Sequence, residues 1–350
     1  MTRRVVFRGA GIGLLGLLAT AGPARAQAWL PPAGEAFFSL GYGNNFVTNH
    51  YTYLRVPGAP ASDNTEVDLG HIRSQSVGAE IGYAITDRLA VQLGLPFVQA
   101  KWYRTCSTCG TPHTLLDGTT LDDGDYHGTF QDYRVGALYQ VVRNPVGLTP
   151  FVAAVIPSHH YQYFAHSAVG RNLHEYLLGV NFGSRLDRIV PGGYVQAMYS
   201  YAFVEKVFVE TLGDIHHDRS NAALELGYFV TPSLGARFLA TGFYTHGGVS
   251  IRSRADLHCA SNPCTAADPI YLHHDQIEHA SGINLGGGLS YALTGSVDVY
   301  ASYLRTVLGH AGHKIDHGIS LGASWGFSPQ QVVRRLFGPR TSGLEPPVQK

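Results

Sequence analysis

From Glu35 onward, large apolar residues alternate with small or polar ones at a period of two, the pattern of extended strands whose two faces meet different surroundings. Val195, Ala197, Tyr199, Tyr201 and Phe203 share one face, while Tyr194, Gln196, Met198 and Ser200 share the other. Ile319, Leu321, Ala323, Trp325 and Phe327 stand in the same relation to Ser320, Gly322, Ser324 and Gly326. The bulky faces carry almost no charge, whereas the solvated face of a soluble sheet carries several. Large apolar residues outside and small or polar ones inside reverses the soluble order.

Twelve such segments follow one another, centred near residues 40, 78, 94, 135, 153, 179, 199, 225, 240, 286, 301 and 321. The links between them alternate in length. Short ones fall at Thr86-Asp87-Arg88, Arg143 to Gly147, Asp187 to Gly192, Thr231-Pro232-Ser233 and Thr294-Gly295-Ser296, all rich in turn formers. Long ones occupy about 46–70, 103–127, 158–172, 205–219 and 246–279, with a shorter last one at about 309–314. The expectation is an all-β fold: a transmembrane antiparallel β-barrel of about 12 strands in the bacterial outer membrane, with short periplasmic turns and long extracellular loops.

The N-terminus agrees with export. Arg3, Arg4 and Arg8 form a basic start, Gly9 to Ala21 an apolar stretch, and Ala24-Arg25-Ala26 a small-x-small cleavage site. Residues 1–26 therefore read as a signal peptide, 27–327 as the barrel and 328–350 as a periplasmic tail. The apolar stretch is shorter than the roughly 20 residues a spanning helix needs, so strands must do the crossing.

Composition sharpens this reading. Charged residues make up 14%, with 42 glycines and 20 tyrosines, against about 25% charged residues in typical soluble domains. Removing the four arginines of the first 26 residues, which hold no acid, leaves 21 basic against 25 acidic residues, so no basic face for nucleic acid is implied.

The face opposite the aromatics places Glu80, Asp132, Arg134, Glu175, Glu225, Arg237, Asp298 and Asp316 toward the lumen. Six acids against two arginines favour a cation-preferring or weakly selective channel, the alternative being that these groups pair across the lumen and fill it. All 18 histidines fall in the long loops or on the strand ends beside them. Imidazole is a common ligand for divalent transition metals such as Zn, Ni or Cu, and the adjacent pairs His159-His160, His216-His217 and His273-His274 are the candidate ligands. The other readings of these rings are amphipathic residues at the headgroup boundary or a cluster that charges near pH 6.5. No cofactor is required by any motif.

Cys106, Cys109, Cys259 and Cys264 sit in two close pairs on an exported chain, so two local disulfides are expected, although four cysteines allow three connectivities. No enzyme is expected: the adjacent pair His166-Ser167 lies in a loop, and among so many histidines such a pairing is expected by chance.

Tyr133-Arg134-Val135-Gly136-Ala137-Leu138-Tyr139, Leu148-Thr149-Pro150-Phe151 running to Ile156-Pro157, Gly179-Val180-Asn181-Phe182-Gly183 and Leu226-Gly227-Tyr228-Phe229-Val230 resemble the outer-membrane transporter family associated with the meta pathway of phenol degradation. The resemblance implies a barrel that passes small molecules, often aromatic ones, and carries no catalytic or binding residues over. The partners that follow are outer-membrane lipid, a small-molecule solute and the barrel assembly machinery. The function expected is a channel or transporter for small solutes. The alternative is a surface binding or adhesion protein that uses the barrel as an anchor.

Overall fold

The computed structural model describes residues 28–52, 65–105, 112–251, 257–260 and 264–332. The signal-peptide segment, most of the tail, Cys106 and Cys109 lie outside the described residues. The elements are β1 (Ala36–Thr52), β2 (Thr65–Val67), β3 (His71–Ala84), β4 (Leu89–Tyr103), β5 (His127–Phe130), β6 (Asp132–Tyr139), β7 (Val146–Pro157), β8 (Glu175–Arg185) and β9 (Gly193–Val204). They continue with β10 (Val207–Val209), β11 (Gly213–Ile215), β12 (His217–Phe229), β13 (Leu234–Gly247), α1 (Pro269–Ile277), β14 (Ser281–Ala292), β15 (Val297–His310) and β16 (Gly312–Phe327).

Twelve of these strands form the wall, in the order β1-β3-β4-β6-β7-β8-β9-β12-β13-β14-β15-β16. The last pairs back onto the first from Ala36 opposite Phe327 to Tyr51 opposite Gly312, closing an antiparallel barrel. Closure leaves no edge, the condition under which strands can cross lipid with their backbone groups satisfied. All twelve predicted segments lie within these strands. The outward side chains are Leu40, Ile81, Val135, Tyr176, Leu178, Tyr199, Leu226, Tyr228, Leu289 and Trp325, all exposed, whereas Ser39, Ser200, Ser320 and Ser324 are buried within. This is the face content of an outer-membrane barrel. No described helix is long and apolar enough to cross a membrane.

Three of the short turns use one device. The hydroxyls of Thr86, Thr231 and Thr294 each accept the backbone N–H groups two and three residues on, at 2.9 to 3.3 Å. A short polar side chain thus satisfies donors that the reversal of the chain would otherwise leave unpaired.

At the opposite end the wall is taller than the alternation suggests. β1 runs on to Thr52, β12 begins at His217 and β13 ends at Gly247. The last loop shrinks to a tight reversal at Ala311, where φ is 57°. These extensions carry polar residues on both faces, for example Lys314 beside Glu66 at 2.6 Å, so the apolar and polar period fades while the strand continues. The long loops also hold structure that the pattern does not show: the β10–β11 hairpin and α1. Pro269 at the start of α1 suits a first helical position. Asp268 before it accepts the backbone N–H groups of Ala260 and Thr265, at 2.8 and 2.7 Å, and so ties the helix to the Cys259–Cys264 disulfide loop.

Candidate functional site

The interior divides into two unlike halves. On β7, β8 and β9 the inward side chains include the apolar Phe151, Ala153, Val155, Leu177, Met198, Ala202 and Val204, with the polar Thr149, Glu175, Asn181 and Ser200 buried among them. Val207 and Val209 of the β10–β11 hairpin and Ile270 and Ile277 of α1 join them in one buried cluster. The 158–174 loop also folds inward, with Tyr161 and Val169 packed on Val98 and Ala100 of β4. At the short-turn end, Ala28 and Leu30 insert into the barrel. The Ala28 carbonyl accepts Gln140 Nε2–H and the Thr149 hydroxyl, both at 2.8 Å. A Cβ on Gly183 would lie 2.5 Å from Ala28 and 2.7 Å from the Trp29 ring, so only glycine leaves room for this segment.

The half built by β14, β15, β16 and β1 is lined mostly by small and polar residues, Gly286, Gly288, Ser302, Thr306, Ser320, Ser324 and Ser39, with the larger Tyr300 and Leu304 of β15 buried on the same face. Their hydrogen bonds are neutral and lie across the strands. Ser39 and Ser324 hydroxyls are 3.3 Å apart, and the Thr306 hydroxyl donates to Asn284 at 2.7 Å. Among the described residues, no inward residue of β14 or β15, and none of β16 beyond Ile315, joins a hydrophobic cluster.

Residues directly opposite in an antiparallel pair share a face. On that basis Glu80 opposite Ser39, Asp298 opposite Ser324, Glu175 opposite Val155 and Val204, Glu225 opposite Leu239, and Arg134 opposite Val155 all face inward. Arg237, opposite Gly227 and Gly288, is buried as well. Asp132 accepts the Tyr161 hydroxyl at 2.7 Å. Asp316 sits in the bulge where β1 and β16 shift register, and its carboxylate takes the Thr48 backbone N–H and hydroxyl.

The expected excess of acids is smaller than the alternation suggests. Arg219, which the pattern assigns to a loop, is the third residue of β12, points inward and bonds Glu175 at 2.8 Å, while Arg171 holds the other oxygen of Glu175 at 2.6 Å. Arg237 lies 3.6 Å from Glu225, which also accepts the Tyr194 hydroxyl at 2.6 Å. Two of the inward acids therefore carry arginine partners.

At the long-loop end the 112–126 segment, the 158–174 loop and α1 pack together as a roof, and histidines meet there. His113 and Asp122 come from the 112–126 segment, His166 from the 158–174 loop, His274 from α1, His50 from β1 and His313 from β16. Ring centroids are 4.3 Å apart for His113 and His166, 5.7 Å for His113 and His274, 6.0 Å for His50 and His166, and 4.5 Å for His50 and His313. Phe164, Tyr271 and Trp102 pack against these rings. Asp122 is the anchor: it accepts the His113 ring N–H at 2.7 Å, the backbone N–H groups of His113, His166 and Ser167 at 3.0 to 3.1 Å, and the Ser167 hydroxyl at 2.8 Å. Burial pushes the Asp122 carboxyl up, but the His113 hydrogen bond and the ring charges of His166 and His113 outweigh it and hold the carboxyl well below its usual range. Burial and the neighbouring His113 push the His166 imidazole far below its ordinary value, so it is neutral at pH 7. The Ser167 hydroxyl points to a carboxylate, not to an imidazole as a nucleophile would.

Of the candidate metal ligands, only His274 joins this group. His159 and His160 are exposed and bond Thr129 and Asn172. His216 is exposed, while its neighbour His217 is buried near Arg219. His273 stacks on Tyr163 and bonds Gln276. Cys259 and Cys264 form a disulfide. The sequence reading missed His50, His113, His166 and His313, whose separation along the chain hides their meeting.

No family model matches the chain, and no curated protein matches it. Among solved structures it is similar to an outer membrane channel from Pseudomonas putida F1, with 14% identity over 86% of this chain and 98% of that one and a TM-score of 0.61. The NanC porin aligns at 8% identity over 82% of this chain and 98% of that one, with a TM-score of 0.45. The likeness to the Pseudomonas putida channel is one of fold. Together with the closed wall and its apolar exterior, it identifies the chain as an outer-membrane β-barrel.

Proposed function

We propose that this protein is a passive channel for small solutes, with passage along the small-residue half of the interior formed by β14, β15, β16 and β1. The contrast between the two halves carries this reading. One is filled by α1, the β10–β11 hairpin and the Ala28–Leu30 segment, and the other is lined mostly by glycine, serine and threonine, with Tyr300 and Leu304 as its large inward residues. Hydroxyls and bare backbone exchange hydrogen bonds with water and with neutral polar solutes at little cost. Because Arg171, Arg219 and Arg237 stand against Glu175 and Glu225, the cation preference is weak. The sequence resemblance favours small aromatic compounds among the solutes, and the Pseudomonas putida neighbour, a channel by its printed description, is in keeping with transport.

The test is single-channel recording on purified protein in planar bilayers. Discrete current steps with a small cation-side reversal potential under a salt gradient are expected. A silent barrel across a range of pH contradicts transport and favours the second reading, a surface binding protein whose packed roof is the binding element.

A further inference from the structure

We propose that His113, His166 and Asp122 form a binding site for one divalent transition metal ion of the zinc class, at the point where the roof reaches the wall. One ligand atom from each of the three residues lies within 4.8 Å of the others. Two imidazoles and a carboxylate are the donor set that borderline ions of this kind take, and the absence of thiolate and thioether disfavours Cu(I). His113 and Asp122 are buried, so the site is not a chance meeting of surface groups.

A second observation points to a ligand. Among the described residues, His113 Nε2 and both ring nitrogens of His50 are buried with no hydrogen-bond partner. Buried polar atoms are nearly always paired, and leaving one unmade costs stability. His50, buried beside His166 with no partner on either ring nitrogen, is a donor that an ion at this cluster could recruit. Asp122 accepts the Nδ1–H of His113 at 2.7 Å, so an ion shared by the two would take the place of that proton, with Nδ1 as the His113 donor.

The geometry is near that of a loaded site. Ligand atoms on a tetrahedral ion lie roughly 3.4 Å apart for arms of about 2.0–2.1 Å, so binding asks the two rings to swing inward by about an ångström. His50 lies one ring beyond His166 and offers a further donor, with His313 behind it. An ion here would join the 112–126 segment to the 158–174 loop and draw both toward His50 on the wall, fastening the roof. This inference stands whether or not the barrel conducts.

Equilibrium dialysis of the full folded chain against Zn²⁺ tests it, with extended X-ray absorption on the loaded protein. The wild type should hold one tightly bound ion, with two imidazoles in its first shell. The His113→Gln and His166→Gln double variant should bind one ion fewer, while the exposed-site variant His159→Ala and His216→Ala should keep the full number. An unchanged stoichiometry in the double variant overturns the proposal, as does a wild-type absorption spectrum with fewer than two imidazoles. The spectrum decides the matter even if the double variant misfolds.

Discussion

The interior half on β7, β8 and β9 and the half on β14, β15 and β16 share one strand geometry but differ in what their inward positions hold. Leu177 and Val155 join a buried apolar cluster with loop and helix residues, whereas Ser302 and Ser320 stand opposite each other on β15 and β16. The same alternation therefore builds a filled side and a side lined by small polar groups. The lesson is that period two fixes which residues point inward, while side-chain size and polarity decide what the interior does with them.

The largest effect should come from Glu175, where the filled half meets the roof. Glu175→Ala leaves Arg171 and Arg219 close together with no carboxylate between them, and losing one partner of a buried ion pair costs about 3–5 kcal/mol. Denaturant unfolding of the refolded barrel measures this, and a loss under 1 kcal/mol would show that the pair is not structurally coupled. Leu177→Ala in the same half should cost about 2–5 kcal/mol through the cavity it leaves. Ser302→Leu on the other half, where Ser302 is itself buried, should cost less, about 1–3 kcal/mol through overpacking, and reduce the single-channel current. Equal destabilisation at both sites would erase the contrast.

The roof adds a smaller, pH-dependent effect. Burial, and after it the charge of Asp275, pushes the Glu278 carboxyl up to about 8 from an ordinary 4.5. The folded roof therefore keeps a proton that the unfolded chain releases. Stability from this group is full below the ordinary carboxyl range and is lost as pH rises through about 8. The exchange protection factors along α1, corrected for the intrinsic rise of exchange with pH, should fall across that window in the wild type and stay flat in Glu278→Gln. A flat wild-type profile would place Glu278 in water.

The wall was legible because lipid imposes a simple rule on every second residue, so Leu40, Tyr199 and Leu321 announce their strands. The roof was not, and the reasons are physical. Adjacent histidines such as His216 and His217 look like paired ligands in a sequence, yet successive side chains of an extended chain point to opposite faces, and here one is exposed while the other is buried. His113 and His166 meet through Asp122, 44 residues before His166, which no local spacing reveals. Arg219 was hidden because β12 begins earlier than its apolar face does. The helix α1 buries only Ile270, Gln276 and Ile277, too few apolar positions to show a helical period.

The account rests most directly on where solute passes. Ser302→Cys and Ala153→Cys, each treated during single-channel recording with a small water-soluble thiol reagent, put that to the test. The account predicts a stepwise fall in current on modification of Ser302→Cys and no change for Ala153→Cys. A barrel that never conducts, or one blocked equally from both positions, would contradict it.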